Sequence, residues 1–500
     1  MEPKHNFLLR AYISYLLLFL ALAWFSSCRP DKEKLDLNPG QALQFSSDTI
    51  TFDTVFTNFP TATRRLRVYN RNKNSIKIAS IDIAGQGSSP FSLNVNGIEG
   101  PKSVRNLTIQ GEDSFYVLIT ARINAQDQGL PFIVKDSILF QVEGRPGIQD
   151  VKLLSYGQDA IFIDRLKGDT IACNTTWSNL KPYVIFNSAI VPEGCTLTIK
   201  EGVRVHFFQN SNLFVAGTLL VEGTKENPVV FQGTRLERFY ENTPGQWGAI
   251  VLLDSSGSRR PGIPIGLHFI DHAIIKNGLH GVQVNLPGDE NPTGLIISNS
   301  QIQNMSGVGL YGFGALMLGY NNVVADCAQN LVAGLAGGSY EFWHNTFTYS
   351  GVNNFSRDLP AVIFADHFDD RSNPVILGQL GLGLYSNIID GSQQKEFAVA
   401  DNLSGRPILD TLLNNLIKSD GELNNGINRK ENLPIVGRNL VFKNPFRYDF
   451  QLDSLSPAQD KGFFPLPASF IGIRIDKKGN TRGIVSPDLP DVGAYEWKPR

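Results

Sequence analysis

Across residues 189–234, apolar positions alternate with polar ones in runs of only a few residues, and each run stops at Gly or Asn. Cys195, Leu197 and Ile199 alternate with Thr196, Thr198 and Lys200, and after Glu201-Gly202 the period resumes at Val203, Val205 and Phe207. Asn210 and Asn212 interrupt it, Leu213 and Val215 restart it, and Leu219 and Val221 follow the turn at Gly217. Strands this short are poor hairpin partners. They suit a coil in which each strand stacks on its equivalent in the next coil.

The pattern persists to about Lys430. A turn bearing Asn, Asp or Ser followed by β-branched or apolar residues recurs at 269–275, 297–302, 318–324, 342–347, 384–389 and 412–417. Marking Ile274, Ile302, Val323, Phe347, Ile388 and Leu416 gives intervals of 28, 21, 24, 41 and 28 residues. Most match one solenoid coil. The long interval implies an inserted loop, or a second coil of poor pattern, between Gly351 and Leu377. In such a coil each marked side chain is expected to stack on its counterpart ~4.8 Å away. The turn Asn is expected to adopt the left-handed conformation and to ladder its amide along the axis.

Ahead of the solenoid, residues 43–160 alternate in about seven longer runs, at 50–56, 66–70, 76–81, 91–95, 115–119, 137–142 and 151–156, which predicts a β-sandwich. The order of these runs, with Asn70-Arg71-Asn72 after the second and Pro90-Phe91 opening a later one, resembles immunoglobulin-like domains of the abnormal-spindle and major-sperm-protein type. That resemblance implies a protein-binding module; a spacer shielding one end of the solenoid is the other reading. The 189–234 stretch resembles the opening coils of right-handed parallel β-helix proteins of the pectate-lyase-like kind. Ser456-Pro457-Ala458-Gln459-Asp460-Lys461-Gly462 and Asp491-Val492-Gly493-Ala494-Tyr495-Glu496 resemble the closing signature of bacterial extracellular β-helix proteins. The expected fold is therefore all-β: an Ig-like sandwich followed by a right-handed parallel β-helix. The expected division is 1–27 signal peptide, 28–42 tether, 43–160 sandwich, 161–188 linker and N-terminal cap, 189–438 β-helix, and 439–500 C-terminal coils and cap. Trp177, Tyr183 and Phe186 are the expected covers of the first coil.

The N-terminus changes the picture of where the protein sits. Lys4, His5 and Arg10 precede an uncharged apolar run at 11–25, shorter than a membrane span, which ends in Phe25-Ser26-Ser27-Cys28. This resembles a bacterial lipobox and implies lipidation of Cys28. Asp31 and Glu33 resemble the surface-export signal of Bacteroidetes-type lipoproteins, although Arg29 and Lys32 interrupt it. The expected location is the outer membrane, held by the lipid anchor and facing either the periplasm or the cell surface. Such a compartment permits a disulfide between Cys173 and Cys195, with two reduced buried thiols as the alternative. Cys327 is expected as a small core residue.

Composition supports β structure: 47 Gly and 32 Phe against 3 Met, with 18% charged residues. A formal net charge of −2 argues against nucleic acid as a partner. Many β-helix proteins cleave polysaccharides, but Asp369-Asp370 stands without the ordered set of motifs seen in polygalacturonase-like enzymes: Asn-x-Asp and Gly-His-Gly are absent, and no Arg-x-Lys follows it, the phrase occurring only earlier, at Arg71-Asn72-Lys73 and Arg165-Leu166-Lys167. The main candidate site is Asp366, His367, Asp369, Asp370 and Arg371, in the suspected insertion, as a sugar or Ca²⁺ loop; a solvated loop is the alternative. Tyr240 and Trp247 are candidate sugar contacts, with Trp247 also readable as packing. Asp271 and His272, with Lys276 and His280 nearby, are expected on opposite faces of one strand. Trp343, Phe347 and Tyr349 are expected on one face, as an internal stack. The function these readings favour is non-enzymatic: an envelope protein presenting its β-helix to a glycan or another envelope protein. A polysaccharide lyase or glycoside hydrolase, and a structural subunit of an envelope assembly, are the alternatives.

Overall fold

The computed structural model describes residues 34–99, 103–168, 170–253, 267–287, 293–353, 355–369, 371, 374–400, 402–421, 423–425, 428–435, 442–466, 471–483 and 489–499. Among them are strands and short 3-10 turns but no α-helix. They fall into two compact units, one within 1–126 and 131–158, the other within 127–130 and 159–500.

The first unit is a sandwich of two five-stranded sheets. Its order pairs Thr49–Phe56 with Gln149–Gln158 in parallel, while the remaining pairings are antiparallel. Alternate residues of both sheets, among them Leu66, Val68, Ile78, Ile81, Phe91, Val117 and Phe140, fill one core. The strand Ser103–Ile109 was not expected, because only Val104 and Ile109 of its seven residues are buried. Asn70 is fully buried and explains its motif: its amide nitrogen donates to Asn74 O at 2.9 Å and Gln110 O at 2.8 Å, and its oxygen accepts from Asn72 N at 2.9 Å.

The second unit is a parallel β-helix. Its strands stack into three sheets of 11, 10 and 8 strands, called here the first, second and third. From Thr196 to Val399 each coil runs second, first, third, as in Thr196–Lys200, Arg204–Phe207 and Leu213–Val215, and the strands after Val399 belong to the second and first sheets alone among the described coils. Inward side chains form rows. On the second sheet Ile199, Val221, Ile270, Ile297, Gly319, Phe342, Leu384 and Leu412 are in register. Gly319 makes room for its neighbour: a Cβ there would lie 2.6 Å from the Phe342 ring.

On the first sheet the inward row is Ile275, Ile302, Val324, Phe347, Ile389 and Ile417. The markers Ile274, Val323, Ile388 and Leu416 therefore lie in the right strands but one residue off, on the outer face. Outer and inner positions are both apolar here because residues 442–499 cover the outside of this sheet. Phe450, Ala494 and Tyr495 pack on Val323 and Ala325, and Leu452, Ala458 and Val492 pack on Ile388 and Leu416. A strand buried on both sides loses its alternation.

The turn from the second sheet to the first uses two residues with different jobs. Asn299, Asn321, His344, Ser386 and Asn414 take the left-handed conformation, with φ of 47°, 55°, 51°, 57° and 55°. The residues that follow, Ser300, Asn322, Asn345, Asn387 and Asn415, are fully buried and form the ladder. Backbone N–H groups of Ser300, Asn322, Asn345 and Asn387 donate to the side-chain oxygen one coil on, at 2.8–2.9 Å. The ladder continues through Asn432.

Residues 442–499 were expected to add coils and a cap. They add no strand to the three sheets among the described residues and instead bind the outward side of this corner. Asn414 donates to Lys461 O, Phe463 N to Ser386 Oγ, Asn321 to Ile475 O, and Lys477 to Asn299 O, so the segment passes the coils in reverse order. Leu423, from the turn before the last strands, joins the core at that end instead. At the other end Trp177 and Tyr183 stack at 4.2 Å within the core, and Cys173 is bonded to Cys195. The interval of 41 residues is one coil with two long turns, at 349–361 and 365–379, and no additional coil.

Candidate functional site

The C-terminal segment closes the outside of the first sheet and lies along its corner with the second. The third sheet has a different border. Its strands, Ala189–Val191, Leu213–Val215, Ile250–Leu252, Val282–Val284, Leu310–Phe313, Val332–Leu335, Val362–Phe364 and Phe397–Val399, include several entered or left through long turns. Turns 234–249 and 349–361 lead in; turns 365–379 and 400–408 lead out. Long turns beside a rigid sheet are where binding groups concentrate.

Strand alternation sends Val282, Leu310, Val332 and Val362 inward to the core. The residues between them face out in register: Ile190, Phe214, Val251, Gln283, Tyr311, Ala333, Ile363 and Ala398. An aromatic run crosses this row. The His280 and Tyr311 rings lie 5.2 Å apart, Tyr311 and Phe313 4.6 Å, and Phe313 and Phe368 5.0 Å with edge-to-face geometry. His280, Tyr311 and Phe368 are half-buried, so their remaining surface meets solvent. Nδ1 of His280 accepts from Val308 N at 3.0 Å, and burial lowers the imidazole pKa. The ring is thus neutral near pH 7 with its proton on Nε2. Burial raises the Tyr311 phenol pKa, which keeps it a hydrogen donor. The face offers flat apolar rings edged by neutral donors and acceptors.

Phe368 reaches this run from a small hairpin, His367–Phe368 paired with Ile376–Leu377, which holds most of the expected loop site. Its residues do not converge. Asp366 is buried and accepts from Ser404 N at 2.6 Å, Leu403 N at 3.2 Å and the His367 ring at 2.9 Å. Burial raises its pKa, but these hydrogen bonds outweigh that and bring it to about 2. The carboxylate thus anchors one turn to the next. Asp369 is exposed and accepts from Arg371 N at 2.7 Å. Asp370 lies outside the described residues. Among the described residues, no three His, Cys, Asp or Glu side chains lie together as a metal-holding group.

Of the other candidates, Trp247 is buried, stacks on Phe207 at 4.2 Å and donates to Lys276 O at 2.9 Å, which is packing. Tyr240 is half-buried under the Arg235 guanidinium, 3.9 Å above its ring. Asp271 and His272 do meet, contrary to the expectation from strand alternation. His272 is already in the corner, at φ 47°, and its Nδ1 comes within 2.9 Å of Asp271 Oδ2. They border a cavity of about 440 Å³ with Glu226, Asn299 and Asp476. Trp343 and Phe347 lie on different sheets with the corner between them. Trp343 stacks outward on Tyr385 at 3.8 Å beneath Phe463, whereas Phe347 is in the core. Cys327 is buried, and burial raises its thiol pKa. Cys28 and the apolar run before it lie outside the described residues; among those residues no helix is long and apolar enough to cross a membrane.

Sequence reasoning missed Gln283, Tyr311, Phe313 and Phe368 as a group. The available signal was the Tyr311-Gly312-Phe313 alternation, but grouping it with Phe368 needs the coil register, which the turns of unequal length conceal.

A family model for a pectate-lyase-like beta helix domain matches residues 168–259. No curated protein matches the chain. Among solved structures, the catalytic unit of a GH87 alpha-1,3-glucanase from Streptomyces thermodiastaticus is similar at 12% identity over 71% of this chain and 74% of that one, TM-score 0.24. A family 123 glycoside hydrolase from Clostridium perfringens is similar at 8% identity over 24% of this chain, TM-score 0.18; the match spans 30% of that chain. The ASH/PapD-like domain of human CEP192 is similar at 12% identity over 26% of this chain and 92% of that one, TM-score 0.17.

Proposed function

We propose that this is a lipid-anchored cell-envelope protein that holds a glycan on the outer face of the third sheet without cleaving it. The observation that carries the reading is an aromatic run in which Tyr311 and buried Phe313 of the third sheet are flanked by His280 from a turn and Phe368 from the hairpin, with His280, Tyr311 and Phe368 half-buried. Aromatic faces on a fixed frame hold sugar rings with little entropy lost on binding. The buried acids nearest this face serve the fold: Asp366 is bonded to the 403–404 turn, and Glu396 is bonded to Arg357 at 2.7 Å and to Ala361 N at 2.8 Å. Hydrolysis between two carboxyl groups needs them ~5–9.5 Å apart across an open bond, and these are occupied elsewhere. Cys28 supplies the anchor; of the expected 28–42 tether, the part from Leu35 on is docked on the sandwich, where Asp36 N donates to Ser75 O at 2.8 Å and Gln41 N to Asn72 Oδ1 at 2.9 Å.

The test incubates the full-length chain, purified in detergent, with a panel of neutral and acidic polysaccharides, with and without Ca²⁺. Retention on the polymer and new reducing or unsaturated ends are read together. Retention without new ends is expected. New ends would overturn the non-enzymatic reading, and no retention would overturn glycan binding.

A further inference from the structure

The sandwich carries a charged surface of its own. On the sheet that pairs Arg64–Tyr69 with Ser114–Ala121, alternate residues point away from the core: Arg65, Arg67 and Tyr69 on one strand, with Leu118, Tyr116 and Ser114 opposite them. The arginines lie over the tyrosines. The Arg65 guanidinium is 4.7 Å from the Tyr116 ring centre, and Arg67 is 5.4 Å from Tyr116 and 5.1 Å from Tyr69. Arg71, just past the strand, is 4.5 Å from Tyr69. Stacking holds each planar guanidinium in place while its edge N–H groups stay free to donate. All three arginines are exposed. Arg67 Nε donates to Ser114 Oγ at 2.8 Å and Arg71 Nε to Gln44 Oε1 at 3.1 Å, both neutral acceptors. Among the described residues none of the three is within ion-pair distance of a carboxylate. The outward positions of the two strands include no acid. The acids of this sheet stand at its margins: Glu112 and Asp113 in the turn before Ser114, Asp48 beyond the edge strand, and Glu99 in register with Asn94 on the far edge.

Three uncompensated arginines on a flat sheet suit anions spread over a plane rather than one anionic group in a pocket. The path of the chain favours a lipid surface as that plane. The segment that follows Cys28 docks at the same end of the sandwich as Arg71: Leu35 bridges to Ser75, and Gln41 N donates to Asn72 Oδ1 at 2.9 Å. Cys28 precedes Leu35 by seven residues, a reach of at most about 25 Å even when fully extended. An acyl group on Cys28 therefore keeps this end of the sandwich close to the headgroups. The side chains suit that boundary: guanidinium forks pair with phosphate oxygens, phenol rings settle among headgroups, and exposed Leu118 adds apolar surface beside Tyr116.

We infer that the face formed by Arg65, Arg67 and Arg71 lies against the anionic headgroups of the membrane that holds the anchor; the inference rests on the lipid-anchored reading above. The test uses the chain from Arg29 onward, which keeps every described residue and both main cores and lacks the acylated cysteine, so that vesicle binding reports protein contacts alone. The probes are vesicles of phosphatidylcholine, vesicles of phosphatidylcholine with phosphatidylglycerol, and soluble polyglutamate, at low and at physiological salt. The chain is expected to sediment with the phosphatidylglycerol vesicles, less so as salt rises, and not with phosphatidylcholine alone. The triple variant Arg65→Gln, Arg67→Gln and Arg71→Gln is expected to lose at least about tenfold in binding. A charge-matched triple variant on the other sheet, Arg105→Gln, Lys135→Gln and Lys152→Gln, is expected to stay near the parent. Equal losses in the two variants overturn the face in favour of general attraction. Polyglutamate binding that the first variant loses, without vesicle binding, overturns the lipid occupant in favour of an acidic polypeptide. No binding to either overturns the inference outright. Acylation is read separately, as the mass of the Cys28 peptide from the full-length chain recovered from membranes: an unmodified Cys28 overturns the anchor, so a failed anchor and a failed face are told apart.

Discussion

Asn345 and Asn387 lie 42 residues apart in sequence yet adjacent in space: the Asn345 amide nitrogen donates to the Asn387 side-chain oxygen at 2.9 Å, and so does the Asn345 backbone N–H. Both residues are fully buried. The Asn345 oxygen in turn accepts both donors of Asn322. Replacing Asn345 with Ala removes that acceptor inside the protein, where each stranded donor costs ~1–3 kcal/mol. Asn345→Ala is expected to lower unfolding free energy by about 3 kcal/mol or more in a denaturant titration. Asn424→Ala, at the exposed end of the same ladder, is expected to cost under about 1 kcal/mol.

Arg482 ties the C-terminal signature to the corner. It is buried, pairs with Glu496 at 2.9 Å, and donates to Asn321 Oδ1 at 2.7 Å. Burial raises the Glu496 pKa to about 7 against the opposing effect of Arg482. Removing the cation leaves a buried carboxyl without its partner, so Arg482→Met is expected to cost ~3–5 kcal/mol. The double variant with Glu496→Gln is expected to recover part of it. Equal stability of the single variant and the parent would show that the pair contributes nothing.

The short alternating runs and the Asn-bearing turns made the solenoid legible, because backbone stacking and amide ladders leave a local trace. Register was less legible. Ile274, Val323, Ile388 and Leu416 are apolar neighbours of the true core residues Ile275, Val324, Ile389 and Ile417, and for Val323, Ile388 and Leu416 the distant residues 442–499 explain why. The same limit hid the site. Tyr311 and Phe368 belong together only once the turns between them are folded away, and Asp366 looks like a ligand until its bonds to the 403–404 turn are seen.

Stability is expected to fall on mild acidification. Burial lowers the His206 and His268 pKa values to about 4, below the usual ~6.5 of an unfolded histidine. Between those values the unfolded chain binds more protons, so acid favours unfolding. Their contribution is full above pH 6.5 and is lost as pH falls toward 4, by up to about 3 kcal/mol for each histidine. Unfolding free energy measured across that range should slope downward, and His268→Gln should remove about one proton's share of the slope.

Reduction is expected to loosen the entry to the solenoid. Cys173 and Cys195 join a loop of 22 residues next to the paired strands Thr175–Trp177 and Thr196–Lys200. Closing a loop of that size stabilises by about 3 kcal/mol in the chain-entropy account. A reductant, or Cys173→Ser with Cys195→Ser, should lower the thermal midpoint. An unchanged midpoint would mean that the Trp177–Tyr183 stack holds this segment unaided.

The segment 442–499 should behave as part of the solenoid's surface rather than as an appendage. Val323, Ala325, Ile388 and Leu416 face outward on the first sheet and are packed against that segment, and Trp343 packs against Leu466 and Ile473. Ending the chain before Phe442 uncovers them together on one flat face. A contiguous apolar patch on stacked strands favours self-association. The shortened chain is therefore expected to bind a hydrophobic dye and to elute as oligomers in size-exclusion chromatography, while far-ultraviolet circular dichroism keeps its β signal. A monomeric, dye-silent product would mean that the coils repack to hide those residues on their own.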